Sequence, residues 1–395
     1  MMSKAVSSRV RNALINVVLI LSSLVVAFVL AEIVLRVLGY SNPVLWTYDD
    51  TVGSRLYGGA EGWFRAEGEA YIKINSAGLR DREHSVAKPP NTVRIAVLGD
   101  SMTEALQVPS GKPFWAILER ELKGCQRLAG KDAEVINFGV SGYGTAQELL
   151  TYSHWAAAYR PDVTVLAFYA GNDVRNNSRA LEPNTLRPFF VLRNDRLVAD
   201  NSFLDDPAYV SFKSTFDYRK KFFGFRTFQL MRQLKSVFDT WVEVRAAGPE
   251  VANLEAGSDD HVFFAPKTKE WSGAWAVTER LIVALRDAVG ASGGRFVVVS
   301  VPIGIQAYPD PNVRSEFMRT RRLTDLGYPD RRMEEFGATT GVDIMTLGQT
   351  FQSYAEKNRT YLYGFENTKL GTGHLNENGH RLIGELLAAH LCQQP

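Results

Sequence analysis

The chain has 395 residues, and its 45 lysine and arginine residues nearly balance its 43 aspartate and glutamate residues, giving a net charge of +2 at pH 7. This near neutrality, without a long basic tract, argues against nucleic acid as a partner. The hydrophobic fraction of 45% is ordinary for a globular protein, so the chain can bury a sizeable core. Two cysteines are too few for a disulfide scaffold, and they lack metal-binding spacing.

The amino terminus is basic up to Arg11 and then becomes apolar over a long run. Residues 12–31 carry no charge, and the run ends before Glu32. A run of this length can cross a bilayer as a single helix. A cleavable signal peptide is the competing interpretation, but its apolar core is shorter and ends in an A-x-A-like site, which residues 27–31 do not clearly supply. We therefore favour a cytoplasmic tip and retained anchor at residues 1–38.

The charge distribution around this run predicts its orientation. The basic residues lie before the run, which places the amino terminus in the cytoplasm. The remainder of the chain is then outside the cytoplasm, in a periplasm or the extracellular space. We expect a single-pass protein of the inner (cytoplasmic) membrane that contacts the bilayer through this helix.

Residues 39–90 are predicted to form an extended lead-in that wraps the core. Within it, residues 71–75 alternate in polarity as a strand does, and Ala77-Gly78 is typical of a turn.

The stretch 93–104, with the sequence VRIAVLGDSMTE, is the centre of the predicted fold. Its first residues form a β-rich run that ends at Gly99, so Ser101 lies just past the carboxyl end of a buried strand. Open α/β sheets bind their ligands there, because the connecting loops diverge and leave a crevice. A serine in this place is also a common helix cap, so this stretch alone does not identify a nucleophile.

Strand and helix patterns alternate along residues 91–174 and again along residues 267–395. The predicted helices are 112–123, 146–158, 271–289 and 378–391, and the predicted strands after the first are 134–137, 163–168, 295–301 and 342–345. This alternation predicts an α/β fold, a three-layer doubly wound sandwich with a mainly parallel central sheet.

Residues 175–266 interrupt this alternation without a regular strand-helix unit. The segment is too long for an ordinary connection and is predicted to be an inserted subdomain or lid. Within it, residues 212–223 interleave aromatic and basic side chains in the sequence FKSTFDYRKKFF. Two interpretations are open: a surface for sugars or phospholipid headgroups, or an amphipathic helix that packs on the core with a solvated basic face.

Four short blocks follow one another along the chain: GDS at 99–101, NFGVSG at 137–142, GND at 171–173 and HLNENGH at 374–380. Three of them close β-rich runs. In this order they resemble the sequence blocks of the SGNH (GDSL-type) hydrolase superfamily, and the resemblance covers roughly residues 91–392. It implies a flavodoxin-like sandwich that hydrolyses esters through an acyl-enzyme.

The resemblance also implies roles for individual residues. Ser101 would be the nucleophile and His374 the base, since a serine hydroxyl needs an adjacent base to take its proton. His380 is the alternative base, although we expect it to cap or pack the final helix. The oxyanion hole would consist of the backbone N–H groups of Ser101 and Gly142 and the side-chain amide of Asn172.

The chain departs from the superfamily at one position. The superfamily usually has an aspartate three residues before its catalytic histidine, and this chain has Gly371 there. A backbone carbonyl or the hydroxyl of Thr372 could orient His374 in a Ser-His dyad. A carboxylate from elsewhere, such as Glu366, could reach it instead, or the site could be inactive.

These observations predict a membrane-anchored serine hydrolase, an esterase or O-deacetylase, that cleaves acyl esters on envelope glycans or lipids. Two alternatives remain open. An O-acetyltransferase would use the same Ser-His site with a sugar hydroxyl as acceptor, and an inactive glycan-binding or assembly protein would use the same fold without chemistry. The sequence contains no P-loop, dinucleotide fingerprint or metal constellation, so we expect neither a cofactor nor a metal.

Cys125 lies at the end of the first helix predicted after Ser101, and Cys392 lies at the end of the last predicted helix. Because the first and last helices of a doubly wound sheet often lie on the same face, an oxidising compartment would allow a bridge between Cys125 and Cys392. Two free buried thiols are the alternative.

Overall fold

The computed structural model describes residues 2–128, 130–247 and 259–393. They form two compact units. We call the first the helical unit, which comprises Met1–Val44 and Asp217–Val251, and the second the sheet unit, which comprises Leu45–Phe216 and Ala252–Pro395.

The regular elements alternate along most of the sheet unit. In the described residues the strands are β1 (Trp46–Asp49), β2 (Gly53–Leu56), β3 (Glu61–Phe64), β4 (Ala70–Lys73), β5 (Thr92–Gly99), β6 (Asp132–Asn137), β7 (Val163–Tyr169), β8 (Phe189–Arg193), β9 (Arg196–Asp200), β10 (Arg295–Val301) and β11 (Asp343–Thr346). The helices are α1 (Met2–Val37), α2 (Ser101–Glu104), α3 (Phe114–Leu122), α4 (Thr145–His154), α5 (Asp173–Asn176), α6 (Pro207–Arg219), α7 (Arg226–Ala247), α8 (Lys269–Ala291), α9 (Pro311–Arg321), α10 (Tyr328–Thr340), α11 (Gly348–Asn358) and α12 (Glu377–Gln393).

Five parallel strands form the central sheet in the spatial order β6-β5-β7-β10-β11. Counted along the chain, this is the order 2-1-3-4-5 of flavodoxin-like sheets. The α/β fold with a parallel central sheet is therefore confirmed. The winding direction reverses between β5 and β7, and a crevice for ligands opens at the carboxyl ends of the strands at such a point. Ser101 follows β5, and Asn172 follows β7.

The inner strands are buried because helices cover both faces of the sheet. Most residues of β5, β7 and β10 are buried, as their nearly continuous apolar sequences predict for parallel strands. On α8, Trp275, Ile282 and Leu285 recur at helical spacing and are fully buried in the main core. This packing fixes the sheet, and the sheet in turn fixes the loops that follow its strands.

Cys125 and Cys392 form a disulfide whose Cα atoms are 5.8 Å apart. Cys125 lies just after α3, and Cys392 lies at the end of α12, which packs against α3. The predicted bridge is thus present, and the alternative of two free thiols is wrong. The bridge joins the end of α12 to the segment that follows α3.

The predicted lead-in forms two antiparallel hairpins, β1-β2 and β3-β4. In the second hairpin Phe64 pairs with Ala70, so residues 65–69 form the connecting loop. The buried side chains of Leu56 and Ile72 belong to a second hydrophobic cluster. This cluster attaches the hairpins to the residues that follow β5 and β6.

The predicted insertion at 175–266 is divided between the units. A third hairpin, β8-β9, and most of α6 belong to the sheet unit, and the chain from Asp217 to Val251 belongs to the helical unit. The aromatic and basic stretch is divided with it. Phe216 is buried and packs edge-on against Tyr57, whereas Tyr218 is 65% exposed. The residues between 248 and 258 lie outside the described part of the chain.

The helical unit consists of α1 and α7 with the segments that join them to the rest of the chain. In the described residues, one helical segment, Val10–Val37, is long and apolar enough to cross a membrane, and its side chains are almost all exposed.

Candidate active site

Ser101 is the first residue of α2, and one residue separates it from the end of the central strand β5. The preceding residue, Asp100, is fully buried, and its carboxylate accepts a hydrogen bond from the Met102 N–H at 2.9 Å. The helix ends after one turn at Ala105, which has a left-handed backbone conformation. This tight strand-to-helix turn places Ser101 in the lining of a pocket at the switch point of the sheet.

Three side chains from distant parts of the chain form a continuous hydrogen-bonded line in this pocket. His374 Nε2 lies 3.0 Å from Ser101 Oγ. His374 Nδ1 lies 2.5 Å from Glu67 Oε2, and the backbone N–H of His374 donates to Glu67 Oε1 at 2.8 Å. The predicted pair of Ser101 and His374 is therefore brought into contact, and a third residue completes the line.

The carboxylate of Glu67 selects the imidazole tautomer. An ionised carboxylate can only accept hydrogen bonds, so the ring proton is on Nδ1. Nε2 then carries a lone pair, which accepts the hydroxyl proton of Ser101. Glu67 also holds the backbone of His374, so it orients both the ring and the main chain of the base.

Glu67 was not identified from the sequence, which pointed to Thr372 or Glu366 as the orienting group. The Thr372 hydroxyl instead donates to the Lys369 carbonyl at 3.1 Å, and Glu366 has an exposed side chain. Neither occupies the position beside Nδ1. Glu67 lies in the β3-β4 loop, far from the histidine block in sequence, so local sequence gives no signal for its contact with His374.

The loop that carries Glu67 is held in place by a single asparagine. Asn367 Oδ1 accepts from the Gly68 N–H at 2.9 Å, and Asn367 Nδ2 donates to the Gly68 carbonyl at 3.0 Å. The Asn367 amide therefore bonds to the N–H and the carbonyl of Gly68, as a neighbouring strand would. These bonds fix the loop that carries the Glu67 carboxylate. Because Asn367 belongs to the segment that precedes His374, the same segment supplies the base and holds the loop that orients it.

Two glycines near the histidine have different spatial roles. A Cβ at Gly373 would lie 2.2 Å from Glu67 Oε1, so glycine at this position leaves room for the carboxylate. At Gly371, where the superfamily has its aspartate, a Cβ would lie 2.3 Å from the Tyr308 ring, and the backbone has a φ of +84°. The Tyr308 ring therefore occupies the space that a side chain at position 371 would need.

His380, the alternative base, is a core residue. It is 1% exposed, its ring stacks on Phe114, and its Nδ1 accepts from the Phe114 N–H at 3.3 Å. Burial lowers the pKa of His380 to about 3. It therefore remains neutral and packs α12 against α3, as the sequence predicted.

The three predicted oxyanion donors converge on one pocket. Ser101, Gly142 and Asn172 all line it together with His374. Asn172 Nδ2 donates to Asp100 Oδ2 at 3.0 Å, which orients the amide and leaves its second N–H for a ligand. Gly142 has a φ of +77°, a conformation that favours glycine in the turn that follows β6.

Glu104 is a buried glutamate that contacts the loop of Ser141 and Gly142, which follows β6. It lies on α2 and accepts hydrogen bonds from the Ser141 hydroxyl and from Trp46 Nε1, the latter at 3.0 Å. Ser141 precedes Gly142, and Trp46 forms part of the pocket wall. Glu104 therefore links the helix of Ser101 to the Gly142 loop and to the wall.

The environment of Glu104 favours its protonated form. Its side chain is fully buried, and this burial raises the pKa of Glu104 to about 7. The hydrogen bonds from Ser141 and Trp46 and the nearby Arg80 guanidinium act in the opposite direction but do not cancel the effect of burial. Its carboxyl group thus changes charge near neutral pH.

The pocket that Ser101 and His374 line has a volume of about 440 Å³ and adjoins two further depressions. Gln107 lines both this pocket and a depression of about 360 Å³, and Glu69 and Pro109 line both that depression and a larger one of about 830 Å³. The larger depression contains Trp63 and Tyr71, whose rings meet edge to face at 5.6 Å. We call the three together the extended cleft.

No group of three or more histidine, cysteine, aspartate or glutamate side chains in the described residues is placed to hold a metal ion.

No family model matches the sequence, and no curated protein matches it. Several solved structures are similar to this chain. An acetyl xylan esterase has 12% sequence identity, with 76% of this chain and 100% of that chain covered and a TM-score of 0.39. A lipase/acylhydrolase from Enterococcus faecalis has 12% identity, with 76% and 96% covered and a TM-score of 0.36.

A lipolytic protein of the G-D-S-L family from Desulfitobacterium hafniense is similar to the same extent. It has 10% identity, with 75% of this chain and 98% of that chain covered and a TM-score of 0.34. The likeness of this chain to these structures is distant.

Proposed function

We propose that this protein is a serine hydrolase that cleaves acyl esters through a Ser101–His374–Glu67 triad. The observation that carries this proposal is the unbroken line of contacts from the Glu67 carboxylate through the imidazole to Ser101 Oγ. Such a line is what a serine hydroxyl needs to act as a nucleophile at neutral pH. It also fits the order of the sequence blocks, which resemble those of SGNH hydrolases.

In the first half of the reaction, Ser101 Oγ attacks the ester carbonyl carbon, and its proton passes to His374 Nε2. Glu67 stabilises the imidazolium that forms. The carbonyl oxygen becomes an oxyanion and accepts hydrogen bonds from the N–H groups of Ser101 and Gly142 and from the Asn172 amide. Loss of one such donor typically costs ~10²–10³ in rate. The intermediate then collapses, and Nε2–H protonates the departing alcohol.

In the second half, water attacks the acyl-enzyme. His374 Nε2 takes the proton of the water, the acyl carbon–Oγ bond breaks, and Ser101 recovers its proton. Free carboxylic acid leaves the site. Ser101 and His374 are both partly exposed, which supports access of water to the acyl-enzyme. We therefore propose hydrolysis as the reaction, with transfer to a sugar hydroxyl as the alternative.

The cleft favours a glycan over a lipid as the carrier of the ester. It combines aromatic rings, Trp63 and Tyr71, with charged and amide side chains such as Glu69, Lys73 and Gln107. Sugar rings have apolar faces that stack on aromatic rings and hydroxyl edges that hydrogen-bond to polar groups. We infer that acylated envelope glycans are the substrate class and that the cleft holds sugar units on one side of the ester.

The compartment follows from three features. The apolar segment Val10–Val37 has the length of a membrane span, basic residues precede it, and the chain carries a disulfide, which is typical of oxidising compartments. We infer that α1 anchors the protein in the cytoplasmic membrane and that the sheet unit works outside the cytoplasm.

Two pairs of variants test the assignment of the catalytic residues. Ser101→Ala and His374→Ala should each abolish turnover of a short acyl ester. Ser101→Ala should also abolish labelling by a fluorophosphonate probe. Ser153→Ala and His154→Ala are matched controls, because both side chains are exposed on α4, and these variants should retain wild-type activity. Wild-type turnover by either of the first two variants would overturn the proposal.

A second measurement separates hydrolysis from transfer. The protein is incubated with an acetyl ester donor and a glycan acceptor, and the products are quantified. Free acetate should dominate. Predominant acetylated glycan would instead favour the acetyltransferase, and absence of both products together with absence of probe labelling would favour an inactive glycan-binding protein.

A further inference from the structure

Helix α7 differs from a surface helix of a soluble protein. On one side polar side chains contact the rest of its unit, and on the other side apolar side chains are exposed. Two of its polar side chains, Gln229 and Arg232, contact the chain segment that follows α1. Gln229 Oε1 accepts from the Asn42 N–H at 2.8 Å, and Arg232 donates to the carbonyls of Asn42 and Pro43 at 2.5 and 2.9 Å. Gln229 is buried. This side of the helix is therefore fixed by hydrogen bonds rather than by apolar packing.

The opposite side of α7 is apolar and exposed. Met231, Leu234 and Val237 are 59%, 60% and 61% exposed. Their spacing of three residues places them along one side of the helix, roughly opposite to Gln229 and Arg232. Ordinary surface helices bury such a stripe, and an exposed apolar stripe is typical of a surface that contacts a membrane or another protein.

The start of α7 is fixed to the last turns of the apolar segment of α1. The Glu32 carboxylate accepts hydrogen bonds from the N–H groups of Arg226 and Thr227, each at 3.0 Å, and from Arg36 Nε at 2.8 Å. A carboxylate in a membrane span is costly unless it is paired, and here the first N–H groups of α7 and a neighbouring guanidinium pair it. Phe225 also meets Phe28 of α1 at 5.6 Å.

The position of Glu32 sets the level at which α7 begins. Glu32 precedes the end of α1 at Val37 by five residues, or roughly 7 Å of helix rise. If α1 spans a bilayer, α7 therefore begins near one of its surfaces. Tyr218, Phe222 and Phe225, which are 65%, 39% and 38% exposed, lie immediately before α7. Aromatic side chains are favoured at this depth.

The charge of this segment also suits a membrane surface. Basic residues outnumber acidic ones between Asp217 and Asp239, and Lys220 and Lys221 form part of the turn that precedes α7. Basic side chains attract anionic lipid headgroups and contribute about 1 kcal/mol each near such a surface. An exposed apolar stripe with basic flanks is the pattern of helices that lie in the bilayer interface.

We propose that α7 lies in the interface of the bilayer that α1 spans, with Met231, Leu234 and Val237 in contact with lipid. The protein then has a second membrane contact that is separate from the anchor helix. This inference rests on the anchoring part of the proposed function, and it is independent of the catalytic residues. It also assigns the basic and aromatic residues from Tyr218 to Phe225 to phospholipid headgroups rather than to sugars.

The test uses the full chain in vesicles of phosphatidylcholine and phosphatidylglycerol. Because both native cysteines are in a disulfide, a nitroxide can be attached to a single introduced cysteine under non-reducing conditions. The labelled positions are Leu24→Cys on α1, Leu234→Cys on the apolar side of α7, and Ser236→Cys, an exposed position on the other side of the same helix. Collision rates with oxygen report contact with lipid, and collision rates with a nickel chelate report contact with water.

We expect the ratio of oxygen to nickel collision rates to be several-fold higher at positions 24 and 234 than at position 236. A lipid-exposed label at 24 with a water-exposed label at 234 would overturn this inference and leave the anchor intact. A label at 234 protected from both reagents would indicate a second copy of the chain on the stripe and would also overturn it. Water exposure at all three positions would overturn the anchoring proposal itself.

Discussion

Glu67 and His374 are 307 positions apart in the sequence, yet Glu67 Oε2 lies 2.5 Å from His374 Nδ1. The acid therefore reaches the imidazole from a hairpin that precedes the first strand of the parallel sheet. This arrangement places the orienting carboxylate on the lead-in, and the segment before the histidine contributes Asn367, which holds the loop, and Gly373, which leaves room for the carboxylate. The lead-in is thus part of the candidate site as well as a cover for the core.

The first prediction concerns this carboxylate. Replacing the acid of a serine triad by an amide can lower the rate ~10⁴-fold, because the imidazole loses its useful tautomer and its charge partner. We expect Glu67→Gln to lower kcat for a short acyl ester to a similar extent with little change in KM. The measurement is steady-state turnover of the purified protein.

The same experiment has two informative controls. Thr372→Ala and Glu366→Ala remove the groups that the sequence suggested, and both should retain activity because neither group contacts Nδ1 in the structure. Full activity of Glu67→Gln, or a large loss in Glu366→Ala, would show that a different group orients the base.

The second prediction concerns Glu104 and pH. An unfolded glutamate ionises near pH 4.5, and burial raises the pKa of Glu104 to about 7. Between these pH values the folded state binds more protons than the unfolded state, so stability falls as pH rises through this window and then levels off. Glu104→Gln removes this ionisation. Over this pH window, we expect the free energy of unfolding of the variant to fall by about 3 kcal/mol less than that of wild type.

Urea denaturation at pH 4.5 and at pH 8 measures this difference. Glu335→Gln is a suitable control, because Glu335 is exposed on α10 and should leave the pH dependence unchanged. The free energies of unfolding of wild type and Glu104→Gln should diverge as pH rises. Parallel pH profiles for the two proteins would refute the raised pKa.

The third prediction concerns the distal end of the extended cleft. Trp63→Ala and Tyr71→Ala should each lower kcat/KM for an acetylated oligosaccharide about tenfold, the equivalent of ~1.4 kcal/mol of lost ring contact. Neither change should affect a small ester such as p-nitrophenyl acetate, which occupies the catalytic pocket alone. Phe212→Ala is a matched control, because Phe212 is 43% exposed and Tyr71 is 42% exposed. Equal losses on both substrates would argue against a binding role for these rings.

The fourth prediction concerns the bridge between Cys125 and Cys392. Cross-linking two distant positions restricts the unfolded chain, and loss of such a bridge typically costs ~2–5 kcal/mol. We expect the double variant Cys125→Ser, Cys392→Ser to unfold at a lower urea concentration than the oxidised wild type. Non-reducing peptide mapping of protein from an oxidising compartment should recover the two linked peptides. Identical urea unfolding curves of the wild type with and without reductant would show that the bridge does not contribute to stability.

Much of the sheet unit could be predicted from local sequence. The strand at Arg295–Val301 and the helices around Trp271 and Asn378 coincide closely with their sequence patterns, because apolar periodicity directly reflects burial on one face or both. The positions of Ser101, Asn172 and His374 were also predictable. Each lies in a short block beside an element boundary, and parallel strands bring their carboxyl ends to one edge of the sheet.

Tertiary structure alone decided the partner of the histidine and the environment of Glu104. Glu67 lies in an ordinary hairpin loop, and its carboxylate gains a role only when the packing of that hairpin and Asn367 carry it to His374. From its sequence position shortly after Ser101, Glu104 looks like an ordinary polar residue on a helix. Only its complete burial raises its pKa. Local sequence records periodicity and turn chemistry, whereas these two effects depend on contacts between distant segments and on the loss of solvent around a charge.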